Sequence, residues 1–100
     1  MVLEIATLSV RAGHEHEFES SFLKASAIIA SMPGYVSHQL QRSIETPNQY
    51  ALLVNWTSRE AHTVGFRGSP EYQRRKEMLH HFYDPSPRVE HYALVAQSAA

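Results

Sequence analysis

The chain has 100 residues, of which 43% are hydrophobic and 19% are charged, and its formal net charge is -1. These values predict one globular domain over residues 1–100 with a core of its own, and they exclude disordered and fibrous classes. The basic residues are scattered apart from Arg74, Arg75 and Lys76, which excludes nucleic acid as a partner. The sequence has no cysteine, so neither a disulfide framework nor a thiolate metal site is available.

The N-terminal segment gives no sign of secretion or of membrane insertion. Glu4 lies inside the first apolar run and no basic leader precedes that run, so we expect no secretory signal. No apolar run approaches the roughly 18 residues that a membrane span requires. We therefore expect a cytoplasmic protein that has no membrane partner.

The first half of the chain predicts a strand, a helix and a hairpin. Val2 to Val10 is rich in aliphatic residues and predicts the first strand. From Glu15 onward apolar residues recur at helical spacing until Pro33-Gly34, which predicts an amphipathic helix. Tyr35 to Ile44 and Gln49 to Trp56 flank a turn-forming segment and predict an antiparallel pair of strands.

These two strands differ in their patterns. The second strand alternates, and one of its faces carries Val36, His38, Leu40, Arg42 and Ile44. The third strand is apolar on both faces, with Tyr50, Leu52, Val54 and Trp56 on one side and Ala51 and Leu53 on the other. Both faces of the third strand must therefore be covered.

The second half of the chain predicts an interrupted helix and a last strand. Thr57 and Glu60 have the spacing of a capping box, which predicts a helix that begins just after Trp56. The glycine-containing segment 65–68 interrupts that helix, and Ser69-Pro70-Glu71 starts it again, with its buried side marked by Tyr72, Leu79 and Phe82. Val89 to Val95 predicts the last strand, and residues 96–100 predict a flexible tail.

The predicted order β-α-β-β-α-β defines an α+β fold of the ferredoxin-like type. This fold has a four-stranded antiparallel sheet with its helices on one face. The opposite face has no cover within the chain, and a large uncovered apolar patch is a site of association. We therefore expect a homodimer that forms through the sheet face.

Several segments together resemble the antibiotic biosynthesis monooxygenase family, and they span nearly the whole chain. The most specific is the Trp-x-Ser-x-x-Ala pattern that begins at Trp56. The resemblance implies a dimeric α+β barrel with a pocket in each subunit between the sheet and the helices. The matching segments are Pro33-Gly34-Tyr35, Asn55 to His62, Gly68 to Tyr72 and Val89 to Tyr92.

The resemblance also implies a range of activities. Some members of the family oxidise phenols or hydroquinones to quinones with dioxygen and no cofactor, others degrade haem, and many have no known reaction. Leu52 and His62 occupy the positions at which quinone-forming members carry an Asn and a Tyr, so a different substrate is implied. The first strand has no Asn and Gly65 stands about where haem-degrading members carry a Trp, which disfavours haem degradation.

The implied function is that of a cofactor-independent monooxygenase that oxidises a small phenol or hydroquinone. Such a reaction needs a base, because dioxygen takes its electrons from a deprotonated substrate. His62 and His38 are the candidate bases, although an ordinary His titrates near 6.5 and a phenol near 10, so hydrogen-bond donors must stabilise the phenolate. The predicted pocket residues are Trp56, Asn55, Tyr72, His91, Tyr92 and Phe66.

Other functions remain open from the residues alone. A lone His on an apolar face is commonly a hydrogen-bonded core residue, and a Trp at the end of a strand is commonly a core anchor. The chain could therefore be a non-catalytic homodimer that binds a small ligand or has a structural role. A lyase or isomerase of the same barrel type is a further alternative. The seven His residues include no pair at i and i+4, so we expect no metal site.

Overall fold

The computed structural model describes residues 1–99 and has the predicted order of elements. Its four strands form one antiparallel sheet in the order β2-β3-β1-β4, so the ferredoxin-like α+β fold is confirmed. The elements are β1 (Val2–Ser9), α1 (Glu15–Ala30), β2 (Tyr35–Arg42), β3 (Gln49–Trp56), a π-helix (Ala61–Phe66), α2 (Pro70–Leu79), a 3-10 turn (His80–Phe82) and β4 (Arg88–Tyr92).

The pairing of β1 with both neighbours determines which side chains meet on the helix-covered face. Glu4 on β1 lies opposite Val54 on β3 and opposite His91 on β4. Directly paired residues point to the same face of a sheet, so these three side chains share one face. Glu4 and Val54 are both buried there.

The core lies between this face and the helices. The predicted amphipathic side of α1 is confirmed, because Phe18, Phe22, Ala25 and Ile29 are its buried residues. The rings of Phe18 and Tyr50 pack with their centroids 4.9 Å apart, which joins α1 to β3. Such aromatic contacts add to the stabilisation that apolar burial provides.

Three strands end earlier than their sequence patterns indicate. β1 ends at Ser9 and β2 at Arg42, and β4 ends at Tyr92 rather than Val95. Tyr92 pairs with Leu3, and β1 starts at Val2, so residues after Tyr92 have almost no β1 backbone left to pair with. Residues 93–99 have no regular secondary structure, and Ala100 of the predicted tail lies outside the described residues.

A β-bulge changes the predicted face of β2. Tyr35 pairs with Trp56 and Ser37 pairs with the adjacent Asn55, so Val36 is an extra residue in β2. The predicted position of Val36 beside His38 is wrong for this reason, and the Val36 side chain is exposed. Ile44 was expected on the same face, but it lies beyond the end of β2 and is 90% exposed.

The helix after Trp56 begins differently from the predicted capping box. The hydroxyl of Ser58, rather than that of Thr57, accepts a hydrogen bond from the Ala61 N–H at 3.1 Å. Ala61 then starts a π-helix, a form that is often found at functional sites. The predicted restart is confirmed, because the Ser69 side chain accepts a hydrogen bond from the Tyr72 N–H at the start of α2.

Within residues 1–99 the second face of the sheet carries no helix. Its central rows pair Leu53 with Ile5 and Asn55 with Leu3. Tyr92 continues the second row on β4 and is 47% exposed. Within residues 1–99 no helix combines the length and the apolar composition needed to cross a bilayer.

Candidate functional site

A buried carboxylate on β1 is the centre of the candidate site. Oε1 of Glu4 accepts a hydrogen bond from Nε1 of Trp56 at 3.0 Å, and it lies 3.3 Å from Nε2 of His62. The rings of Trp56 and His62 are stacked with their centroids 5.3 Å apart. Glu4 and Trp56 lie on neighbouring strands of the sheet, and the π-helix positions His62 against both side chains.

A second histidine extends this group towards the edge of the sheet. Nδ1 of His62 lies 2.8 Å from Nε2 of His91 on β4. A neutral imidazole has one donor and one acceptor nitrogen. If His62 donates from Nε2 to the Glu4 carboxylate, its Nδ1 must accept from His91. These polar contacts therefore form a chain from the buried Glu4 through His62 to the partly exposed His91.

Burial determines the protonation states of this chain. Burial raises the pKa of Glu4, against the opposing effects of the Trp56 hydrogen bond and of the positive charges of Arg75 and Arg67. Burial, together with the neighbouring Arg67, His91 and Arg75, lowers the pKa of His62 to about 3. His62 is therefore neutral at neutral pH, whereas the carboxylate of Glu4 holds a proton more readily than an exposed Glu does.

The pair of Glu4 and His62 forms the polar end of a cavity of 340 Å³ between the sheet and the helical segments. This volume lies within the range of roughly 300–1,000 Å³ that is common for small-molecule sites. One part of the wall is apolar and suits an aromatic ring. The apolar wall includes Ala6, Leu8, Ile29, Leu52, Phe66 and Val89.

Arg75 on α2 also reaches this cavity from the helix side. Within residues 1–99 it makes no hydrogen bond or ion pair, and its Nε and Nη2 atoms are buried without a partner. Its guanidinium carbon lies 5.8 Å from the ring centroid of Phe22. A buried guanidinium in this state is costly unless it meets an anion.

His38 belongs to a different cavity, which has a volume of 390 Å³ and lies between α1 and β2. Its Nδ1 is hydrogen-bonded to the hydroxyl of Tyr35, and its Nε2 lies 3.3 Å from Oγ of Ser26. Burial, with a smaller effect of Arg75, lowers the pKa of His38. The two candidate bases, His38 and His62, are therefore not brought into one site.

Four other predicted site residues gather around His62. Phe66 and Tyr72 line the same cavity and pack edge to face, with their ring centroids 5.2 Å apart. Trp56 is fully buried and supports His62 by stacking, while His91 contacts it through a ring nitrogen.

Asn55 and Tyr92 lie elsewhere, on the open face of the sheet. The side chain of Asn55 donates a hydrogen bond to Oγ of Ser37 at 3.1 Å. Both Asn55 and Tyr92 border a depression that is formed with the C-terminal segment. The sheet therefore separates these two residues from the cavity at His62.

Two residues of the site, Glu4 and Arg75, are missing from the predicted set. The sequence does carry a signal for Glu4, since it is a charged residue at the inward position of an otherwise apolar strand pattern. Arg75 has no comparable signal, because it lies within a run of three basic residues that is typical of a solvated helix face. No group of three or more potential metal ligands is found within residues 1–99.

Comparisons with known protein sequences identify relatives of this chain. The sequence profile of the antibiotic biosynthesis monooxygenase family matches residues 1–78. The uncharacterized protein YczJ of Bacillus subtilis is 50% identical over 92 residues, which are 92% of this chain and 97% of that protein. Deoxynogalonate monooxygenase of Streptomyces nogalater is 39% identical over 49 residues, which are 49% of this chain and 42% of that enzyme.

Solved structures show the same relationship in three dimensions. A protein from Bordetella bronchiseptica that is assigned to this family has a TM-score of 0.92 and 32% identity, covering 95% of this chain and 97% of that chain. A cofactor-independent oxygenase from Streptomyces nogalater has a TM-score of 0.74 and 26% identity, covering 98% of this chain and 94% of that chain. The profile matches residues 1–78, a relative matches nearly the full length of the chain, and the fold is shared. The chain therefore belongs to the antibiotic biosynthesis monooxygenase family.

Proposed function

We propose that the protein is a cofactor-independent monooxygenase that oxidises a small phenol or hydroquinone with dioxygen. One observation carries this proposal: a buried carboxylate, Glu4, accepts a hydrogen bond from Trp56 and lies 3.3 Å from Nε2 of His62 at one end of a cavity whose wall also includes apolar side chains. A ring packed against the apolar wall can present its hydroxyl to this end. The cavity then supplies the base that the reaction needs.

Glu4 is the group that accepts the phenolic proton. Both ring nitrogens of His62 already face protein atoms, whereas Oε2 of Glu4 makes no hydrogen bond with any residue in 1–99. Burial raises the pKa of Glu4, which brings it closer to that of a phenol and makes it a stronger base than an exposed carboxylate. His62 is then a positioning residue that holds the carboxylate and stabilises its charge through Nε2–H.

The reaction balances without an external reductant. A phenol with a free para position and one dioxygen give a quinone and one water. The substrate loses its hydroxyl proton to Glu4, and electron transfer from the phenolate to dioxygen is followed by formation of a carbon–oxygen bond. Cleavage of the oxygen–oxygen bond leaves one oxygen atom in the quinone and releases the other as water, so all four electrons come from the substrate.

The proton that Glu4 accepts must leave the buried cavity. The chain from Glu4 through His62 to His91 offers a route, since its successive contacts are 3.3 and 2.8 Å and its last member is partly exposed. A proton moves outward in the other tautomer of His62, in which Nε2 carries no hydrogen and accepts from protonated Glu4, while Nδ1–H donates to Nε2 of His91. His91 thereby returns Glu4 to the state that accepts the next proton.

The relatives support oxygenation but leave the substrate open. A cofactor-independent oxygenase shares the fold at 26% identity, and a named monooxygenase shares 49 residues at 39% identity. Leu52 lies in the apolar wall of the cavity, where quinone-forming members are expected to carry an Asn. The substrate is therefore expected to make fewer polar contacts with β3.

The test is product analysis under labelled dioxygen with a panel of phenols and hydroquinones. For phenols with a free para position we expect one labelled oxygen atom per quinone and the second in water, and for every substrate we expect loss of most activity in His62→Ala. His81→Ala, which changes an exposed His, is the matched control and should keep the wild-type rate. Failure of every substrate in the panel to consume dioxygen would reject the proposal.

A second candidate function is binding of a small ligand without chemistry, and the cavity beside His38 favours it. Both nitrogens of His38 have protein partners, so that site can bind a ligand more readily than it can abstract a proton. Binding of an aromatic ligand that is weakened by His38→Phe and unaffected by His62→Ala would support this function. A lyase or isomerase would share the proton transfer to Glu4 but would turn over without dioxygen.

We also propose that the protein is a homodimer that forms through the open sheet face. The apolar centre of this face includes Leu3, Ile5 and Leu53, and polar residues such as Gln39 and Glu90 surround it. An apolar centre with a polar rim is the usual anatomy of a protein interface. The exposed side chains of Leu94 and Val95 next to this face would extend the buried surface.

A further inference from the structure

Arg75 is the charged group that the proposed reaction does not yet use. It reaches the cavity from α2, and its Nε and Nη2 atoms are buried without a hydrogen-bond partner. Its guanidinium carbon lies 5.8 Å from the ring centroid of Phe22. Burial lowers the pKa of Arg75, which reflects the cost of holding this charge away from water. An anion at this position would remove that cost.

The other charges around the cavity also favour a negative ligand. Arg67 and Lys76 line the cavity together with Arg75, whereas Glu4 is the one acidic residue among the lining residues that the structure describes. Protonation of Glu4 during the reaction would leave the cavity with positive charges alone. Arg67 and Lys76 are exposed, so they can attract an anion towards the opening but cannot orient it as Arg75 can with its buried Nε and Nη2 atoms.

We propose that the cavity takes an aromatic substrate that carries both a hydroxyl and a carboxylate, with the carboxylate bound by Arg75. This inference rests on the proposed function and specifies its substrate class. A guanidinium binds a carboxylate in a planar, directional manner, so it fixes the ring as well as attracting it. Arg75 reaches the cavity from α2 and Glu4 from β1, so the two groups can contact different parts of one ring. The hydroxyl then faces Glu4 and the apolar wall contacts the ring.

The test measures binding by calorimetry under anaerobic conditions, in which no turnover can occur. The probe is meta-hydroxybenzoate, which has a hydroxyl, a carboxylate and a free position para to the hydroxyl. Its neutral control is meta-hydroxybenzamide, which has nearly the same shape. We expect the wild-type protein to bind the acid at least about tenfold more tightly than the amide, since charged hydrogen bonds are stronger than neutral ones.

Two arginine variants with the same change in charge identify the residue responsible. Arg75→Gln should abolish the preference for the acid, whereas Arg74→Gln, which changes an exposed neighbour on α2, should keep it. Arg75→Met provides a second variant that fills the same space with an apolar chain. It should also lose the preference, and its melting temperature should match or exceed that of the wild type, because an unpartnered buried charge is removed.

Equal binding of acid and amide to the wild-type protein would overturn the inference. An equal loss of the preference in Arg74→Gln and Arg75→Gln would also overturn it, because a general charge effect would then explain the result. The binding data are independent of the oxygenase proposal. A preference for the acid without dioxygen consumption would keep the anion site and reject the oxygenase, and dioxygen consumption without the preference would do the reverse.

Discussion

Nε2 of His62 lies 3.3 Å from Oε1 of Glu4, and only 4% and 7% of the two side chains are exposed. Burial acts on the two groups in opposite directions, because it raises the pKa of the acid and lowers that of the imidazole. Burial therefore disfavours the charged form of each group, which makes Glu4 a stronger base than an exposed carboxylate and keeps His62 neutral at neutral pH. This relationship leads to predictions for both stability and activity.

The first prediction concerns stability as a function of pH. The pKa of His62 falls from an ordinary 6.5 to about 3 in the folded protein, so between these values the unfolded chain binds the extra proton. The contribution of His62 to stability is therefore lost as the pH falls below about 6.5, by about 2 kcal/mol from about pH 7 to about pH 5. Urea unfolding of the wild type and of His62→Gln at both pH values should show this difference.

Glu4→Gln is the control of opposite sign. The raised pKa of Glu4 means that ionising it costs free energy in the folded protein, so its contribution is lost as the pH rises through the folded pKa. The stability of Glu4→Gln relative to the wild type should therefore increase with pH. A His62→Gln variant whose pH dependence parallels that of the wild type would contradict the account of the pair.

The second prediction concerns His91 as the outlet of the proton chain. His91→Phe keeps a ring on β4 but removes the nitrogen that contacts His62. We expect kcat to fall about tenfold with KM unchanged, because His91 takes part in proton transfer but does not line the cavity. Added imidazole should restore part of the rate. A change in KM with no change in kcat would instead place His91 in substrate binding.

The third prediction concerns the turn before β2. Gly34 has a φ of +85°, and a Cβ atom added there would lie 2.5 Å from Cβ of Ala61, at the start of the π-helix. Gly34→Ala should therefore cost about 3 kcal/mol, from backbone strain and steric overlap together. Gly13→Ala is the matched control, since its φ is +89° but no atom lies within 4 Å of the added Cβ. Equal losses for the two variants, measured by denaturant unfolding, would rule out the steric contribution.

The fourth prediction concerns the dimer. Leu53→Lys introduces a charge at the centre of the open sheet face and should dissociate the dimer, whereas Gln41→Lys at a polar edge of the same face should not. Sedimentation velocity distinguishes the two states. A wild-type protein that sediments as a stable species of 11.4 kDa at micromolar concentration would contradict the proposed assembly.

The order of the elements could be read from the sequence because it depends on local periodicity. The limits of β3 follow from its apolar pattern and from the flanking turn, and they agree with the structure. The ends of β2 and β4 depend on where their partner strands stop, which no local pattern shows. The bulge at Val36 likewise depends on how β2 pairs with β3, which the local sequence pattern does not show.

The candidate site could be predicted only in part. The helical and strand positions of Trp56, His62 and Phe66 place these residues near one another once the fold is known. Asn55 is adjacent to Trp56 in β3, so alternation along a strand turns it to the opposite face. For the same reason the side chains of Tyr92 and His91, which are adjacent in β4, lie on opposite faces of the sheet.

The contributions of Glu4 and Arg75 depend on packing that the sequence does not specify. Glu4 becomes part of the site because His62, on a helix that is distant in the sequence, contacts its carboxylate. Which of Arg74, Arg75 and Lys76 turns inward depends on the rotation of α2 about its own axis. That rotation is set by tertiary contacts rather than by composition.

The central claim is that Glu4 removes the phenolic proton, and Glu4→Gln tests it most directly. The glutamine keeps the shape of the side chain and an oxygen that can accept the Trp56 hydrogen bond, but it has no basic oxygen. With Glu90→Gln on the exposed face of β4 as control, the measurement is the initial rate of dioxygen consumption with a phenolic substrate that the wild type oxidises. We predict a fall of about 100-fold or more for Glu4→Gln and no change for Glu90→Gln. A Glu4→Gln variant that folds and consumes dioxygen at the wild-type rate would contradict the account.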